Sequence, residues 1–124
     1  MYSVFVYAHT KASQEAIFKI YAARLEDFVV ALHIPERLKP DFSLDQESGS
    51  VEINMKKAGK ITMGLSSLEI GGKEGKGVLI TVDAKENSGI DSLVQVADRV
   101  ALLVDNELYE HYPRCKVKVA TRNF

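Results

Sequence analysis

The chain predicts an α+β fold, an open-faced two-layer β-sandwich with helices on one side of a sheet. Three observations carry this reading. Residues 2–8, 50–56 and 78–82 are rich in the β-branched and aromatic types that favour strands. Residues 11–33 and 90–104 repeat apolar residues at spacings of three and four, the period of an amphipathic helix. Helices with one apolar stripe need a surface to cover, and one sheet face is the economical solution.

The elements follow in order. Residues 2–8, Tyr-Ser-Val-Phe-Val-Tyr-Ala, are nearly continuous in apolarity, as expected of a central strand with one face under helices. In residues 11–33 the stripe is Ile17, Ile20, Tyr21, Arg24, Leu25, Phe28, Val29 and Leu32, opposite Lys19, Glu26 and Asp27. Thr10 is the best chemical choice of N-cap, and Pro35 ends the helix. Leu38, Phe42 and Leu44 alternate loosely as a strand, and residues 45–49 read as a turn. Val51, Ile53 and Met55 then alternate with Glu52, Asn54 and Lys56, completing a hairpin. Residues 61–70 read as a short helix, and 71–77 as a flexible glycine-rich loop. That loop lacks the strand, helix and closing Gly-Lys-Ser/Thr of a nucleotide-binding motif. After the strand 78–82, residues 84–89 form a polar turn. Ser88 and Asp91 resemble a capping box. Ile90, Leu93, Val94, Ala97, Val100, Ala101 and Val104 stripe the last helix. The expected order is βαββαβα over residues 1–106. Residues 107–124 form a C-terminal extension, read as an edge strand or a partner-binding arm.

The 124 residues suffice for one domain with a real core. Sixteen basic residues against seventeen acidic leave a net charge of -1, which argues against non-specific nucleic-acid binding. Cys115 is the sole cysteine, so an internal disulfide is excluded and a cytoplasmic setting is expected. Apolar runs are far shorter than a membrane span, so no direct membrane insertion is expected. The histidines His9, His33 and His111 lack metal-ligand spacing, and neither a metal nor a cofactor is expected. His33 suits a helix C-terminus structurally. Arg114 and Lys116 flank Cys115, yet without a paired base it reads as a plain surface or edge-strand thiol.

His9 is the most informative residue, because it stands where a strand stops and a helix begins. Unpaired amides at a helix start form an anion site. Lys11 adds a cation and Thr10 a hydroxyl. A neutral imidazole beside such donors can take up a phosphoryl group.

Two stretches of the chain resemble the HPr family, the small histidine phosphocarriers of the bacterial sugar phosphotransferase system. Residues 7–13, Tyr-Ala-His-Thr-Lys-Ala-Ser, are similar to the family's Gly-Leu-His-Ala/Thr-Arg-Pro-Ala. Residues 60–70, Lys-Ile-Thr-Met-Gly-Leu-Ser-Ser-Leu-Glu-Ile, are similar to its Lys-Ser-Ile-Met-Gly-Val/Leu-Met-Ser-Leu-Gly-Ile. The resemblance implies an HPr-like sandwich and a phosphocarrier. His9 would be the phosphorylated residue, with Thr10 beside it, and Lys11 and Ala12 would bind the phosphate. Met63, Leu65 and Leu68 would dock a protein phosphoryl donor and acceptor. Tyr7 and Ala12 stand where the family has glycine and proline. Ile61 stands at its regulatory serine, so that switch is expected to be missing. The same residues also suit a non-catalytic regulatory or protein-binding module. A homo-oligomer through the extension, pairing edges at Val117 and Val119, is a third reading.

Overall fold

Strand β1 (Tyr2–Ala8) is flanked on both sides, by β5 (Lys73–Ala84) and by β6 (Lys118–Asn123). The computed structural model describes residues 1–85 and 90–123. Among these, six strands form one antiparallel sheet in the order β2–β3–β4–β5–β1–β6, with β2 (Asp41–Asp45), β3 (Ser50–Met55) and β4 (Gly59–Ile70) completing it. Helices α1 (Lys11–Ala23), α2 (Leu25–Ala31) and α3 (Leu93–His111) pack on one face. The molecule is therefore a mixed α+β protein with an open antiparallel sheet.

Alternation along each strand decides what is buried. Val4, Val6 and Ala8 of β1 face the helices, as do Val51, Ile53 and Met55 of β3, Ile61 and Met63 of β4, and Val78, Ile80 and Val82 of β5. Ile17, Ile20, Tyr21, Phe28 and Leu32 meet them from α1, α2 and the residue beyond. From α3 come Val96, Ala97, Val100, Val104 and Leu108. Each fully buried large apolar side chain contributes roughly 1.5–3 kcal/mol.

Four expectations need correction. The stretch expected as a short helix over residues 61–70 is strand β4, paired with β5 from Gly59↔Ala84 to Ile70↔Lys73. Twelve ladder partners outweigh local helical spacing. Most of the expected glycine-rich loop belongs to β5, and only Gly71 and Gly72 turn the chain. Their φ values of 62° and 79° are those of a two-residue mirror-image hairpin turn, which glycine adopts freely. The order is thus not βαββαβα, since the second helix position is held by a strand.

The long helix expected over residues 11–33 is broken at Arg24, whose φ and ψ are -123° and 29°. Its N–H closes α1 on the Ile20 carbonyl (2.9 Å), and its carbonyl opens α2 by accepting from Phe28 N–H (3.1 Å). The Arg24 guanidinium leaves the apolar stripe and donates to Glu107 on α3 (Nη2···Oε1 2.6 Å, Nε···Oε1 3.0 Å). This ion pair joins the bend to the neighbouring helix. Helix α2 ends before Pro35, and His33 takes a left-handed conformation (φ 57°) with its N–H on the Val30 carbonyl. His33 thus occupies the turn that closes the helix.

On α3 the buried stripe runs through Val96, Val100, Val104 and Leu108, and Val94 is exposed. Ser88 lies outside the described residues. Ser92 is the N-cap, its hydroxyl accepting from Gln95 N–H (3.4 Å). The expected hairpin of residues 38–56 holds from Asp41 onward, while Leu38 sits in a single 3-10 turn, Glu36–Leu38. The extension does supply an edge strand, β6, paired with β1. Val117 and Cys115 precede that strand and pack partly against the core.

Candidate functional site

The site begins where β1 ends. Alternation puts Tyr7 on the open face, Ala8 in the core, and His9 back toward the open side. The open-face aromatics are nonetheless covered: Phe5 and Tyr7 stack at 4.9 Å, 9° from parallel, and are nearly buried. Gly75 and Gly77 make this possible. A Cβ on Gly75 would stand 2.6 Å from the Tyr7 ring, and one on Gly77 would stand 1.9 Å from the Val6 carbonyl oxygen. The Tyr7 ring in turn meets His9 edge-on, with centroids 5.2 Å apart at 77°.

His9 is half-buried, and its Nδ1 lies 3.2 Å from the Glu74 carbonyl oxygen. A carbonyl can only accept, so this hydrogen bond requires the proton on Nδ1. In the neutral ring this arrangement leaves the lone pair on Nε2. Gln14 braces the same place, its amide donating to the Ala8 carbonyl (2.9 Å) and the Glu74 carbonyl (3.4 Å).

Thr10 is the N-cap of α1, with its hydroxyl accepting from Ser13 N–H at 3.4 Å. The backbone N–H of Gln14 donates to the Thr10 carbonyl (2.9 Å). The amides of Lys11 and Ala12 have no intrahelical acceptor by position, and none is supplied by another described residue. They carry the positive end of the helix dipole.

His9, Lys11, Gln14, Lys73, Glu74 and Lys76 line an open hollow of about 490 Å³. Lys76 holds Glu74 (3.3 Å), and the Ser67 hydroxyl donates to the same oxygen (3.1 Å). The Lys76 hydrogen bond, then Ser67, then the Lys76 charge keep the Glu74 carboxyl below its usual range. Lys11 and Lys73 have no ion-pair partner among the described residues. The hollow combines an imidazole with two cations that have no ion-pair partner among the described residues, and Lys11 places it at the start of α1, which suits an oxyanion.

Of the residues expected at the site, His9 and Lys11 line this hollow, while Thr10 caps α1 and Ala12 lies in its first turn, neither among the lining residues. Met63, Leu65 and Leu68 are not brought together. Met63 is 3% exposed and sits in the core, while Leu65 and Leu68 are each 36% exposed and, by alternation, point to opposite faces of β4. Sequence reasoning missed Gln14, Lys73, Glu74 and Lys76. The Gly71-Gly72 pair was the signal available, because a tight hairpin there carries Lys73–Lys76 back to the start of α1. His111 lies 3.7 Å from both Glu107 and Glu110, far along α3 and apart from this site. Among the described residues no cluster of three or more histidine, cysteine or acidic side chains could hold a metal ion. Among the described residues no helix is long and apolar enough to cross a membrane.

Comparison of the chain with known protein families, curated proteins and solved structures yields no match.

Proposed function

We propose that the protein is a phosphocarrier that takes a phosphoryl group on His9 from a protein donor and passes it to a protein acceptor. One observation carries this reading: the Nδ1 contact to the Glu74 carbonyl leaves Nε2 as the free nucleophile beside Lys11 and Lys73. The Nε2 lone pair attacks phosphorus, and the bond from phosphorus to the donor atom breaks. Its electron pair departs with the donor. The ring gains positive charge as the N–P bond forms, and the Nδ1 proton stays in its hydrogen bond to Glu74. The lysines and the Lys11 and Ala12 amides offset charge on the three phosphoryl oxygens. The reverse attack by an acceptor restores the neutral ring.

The resemblance of residues 7–13 to the HPr motif supports the same reading. The scaffold around it is proposed to be a divergent HPr-like sandwich in which residues 60–70 lie on a strand. The test is treatment with phosphoramidate, a small phosphoryl donor that needs no partner protein. The expected result is one acid-labile, base-stable phosphoryl group that His9→Ala abolishes. An unlabelled wild type, or label retained in His9→Ala, overturns the proposal.

A second reading, a non-catalytic protein-binding module, is favoured by the open sheet face. Ser43, Ser50, Thr62, Ser66 and Thr81 line a hollow there of about 360 Å³, with Asp45 and Glu52 at its side. A stable partner retained by His9→Ala and lost on Thr62→Arg supports that reading.

A further inference from the structure

Two strands end the sheet, and their outer edges have no neighbour among the described residues: β2 on one side and β6 on the other. Unpaired edges are templates for another strand. Strand β2 reads Asp-Phe-Ser-Leu-Asp and is exposed at all five positions. Strand β6 reads Lys-Val-Ala-Thr-Arg-Asn.

The register assigns each side chain to a face. Phe42 and Leu44 stand opposite Ile53 and Val51, which are core residues, so Asp41, Ser43 and Asp45 lie on the open face. Val119 and Thr121 stand opposite Val6 and Val4, also core residues, so Lys118, Ala120 and Arg122 lie on that same open face. Each edge therefore carries two charges four residues apart on one side of the sheet, acidic on β2 and basic on β6. None of the four has an ion-pair partner among the described residues. On the helix side, Phe42, Leu44 and Val119 are 52%, 47% and 42% exposed.

Direction agrees as well. Neighbouring strands are antiparallel along the whole order β2–β3–β4–β5–β1–β6, so β2 and β6 run in opposite senses. A second copy in the same orientation, set beside the first, brings its β2 antiparallel to the first copy's β6. Centring Ser43 on Ala120 sets Asp41 against Arg122, Leu44 against Val119 and Asp45 against Lys118. Both open faces stay on one side, and both helical layers on the other. Self-pairing does the reverse: β6 on β6 about Ala120 opposes Lys118 and Arg122, and β2 on β2 about Ser43 opposes Asp41 and Asp45. Like charges directly opposite each other disfavour those pairings.

We infer that β2 and β6 form a head-to-tail interface through which copies of this chain extend one continuous antiparallel sheet. Such an interface joins unlike surfaces, so each added copy presents a fresh edge until a ring closes or a filament grows.

The experiment is sedimentation equilibrium of the full chain at low salt over a wide concentration range. The wild-type mass should rise past twice the 13.8 kDa of one chain. Reversing one edge, by Asp41→Lys with Asp45→Lys or by Lys118→Glu with Arg122→Glu, should leave monomers. Combining both reversals should restore assembly, which a merely misfolded variant would not do. A peptide with the sequence of residues 116–123 should lower the wild-type mass by capping β2, while its charge-reversed version should not. A wild type that stays monomeric throughout overturns the inference. So do single-edge variants that still assemble, or a folded doubly reversed variant that does not.

Discussion

Tyr21→Phe isolates one hydrogen bond that ties α1 to the β2–β3 turn. The Tyr21 hydroxyl donates to the Gly49 carbonyl at 2.6 Å, and the residue is 1% exposed. Phenylalanine keeps the ring, including its edge contact with Phe28 at 5.1 Å and 68°. What is lost is the bond, with the Gly49 carbonyl left to find water at the turn. A net loss of about 1–1.5 kcal/mol at neutral pH follows. For a domain of this size that lowers Tm by roughly 3–6 °C. Burial also pushes the Tyr21 hydroxyl from its ordinary value of 10.0 up to about 12. Above pH 10 the unfolded chain releases this proton while the folded chain keeps it, so stability falls as pH rises. The contribution is fully present below pH 10 and is lost through about pH 12. A shift of that size sets an upper bound of about 2.7 kcal/mol on the loss. The advantage of the wild type over Tyr21→Phe therefore shrinks as pH rises above 10. Urea unfolding of both proteins at pH 7 and across this alkaline range measures it. Equal stability at pH 7, or a gap that does not change with alkaline pH, contradicts this role of the Tyr21 hydroxyl.

Three further outcomes are expected. Gly77→Ala forces a Cβ to within 1.9 Å of the Val6 carbonyl oxygen and 2.6 Å of Tyr7 Cα, so β1 and β5 must part. A loss of about 1–3 kcal/mol is expected, and an unchanged urea midpoint contradicts it. Arg99 donates to the Ala31 carbonyl (2.7 Å) and the Leu32 carbonyl (3.3 Å) at the end of α2, and pairs with Asp91 at 2.6 Å. Arg99→Ala should cost about 1–3 kcal/mol, with hydrogen exchange in α2 accelerated more than in α1. Lys73→Glu should weaken inorganic phosphate binding followed by amide shifts at Lys11 and Ala12, by about fivefold or more at low salt, and the difference should fade as salt is raised.

Much of the fold was legible because the physics was local. The alternation Val51, Ile53, Met55 is a strand with one wet face in sequence and in structure. Thr10 reads as a cap and acts as one. Residues 61–70 were misread because Ile61, Leu65 and Leu68 fall at helical spacing, while Ile61, Met63 and Leu65 fall equally at strand spacing. Twelve non-local partners on β5 decide between them, and composition cannot show those. Arg24, at the break, bonds to Glu107, 83 residues away in the chain, a partner that local spacing cannot show. At the site, His9 and Lys11 could be found from the strand-to-helix junction. Lys73, Glu74 and Lys76 could not, because they arrive across a sheet pairing hidden by the reading of residues 71–77 as a loop. The covered Tyr7 belongs to the same class: only the pairing reveals that Gly75 leaves room for its ring.

The proposed phosphocarrier role rests on Nε2 being the free ring nitrogen of His9. Phosphoramidate treatment of protein carrying ¹⁵N in its histidine rings, read by ¹⁵N–³¹P coupling, identifies the atom that takes the group. Coupling is expected at Nε2 of His9, with Nδ1 still protonated. Coupling at Nδ1, or a His9 ring unchanged by the treatment, contradicts it.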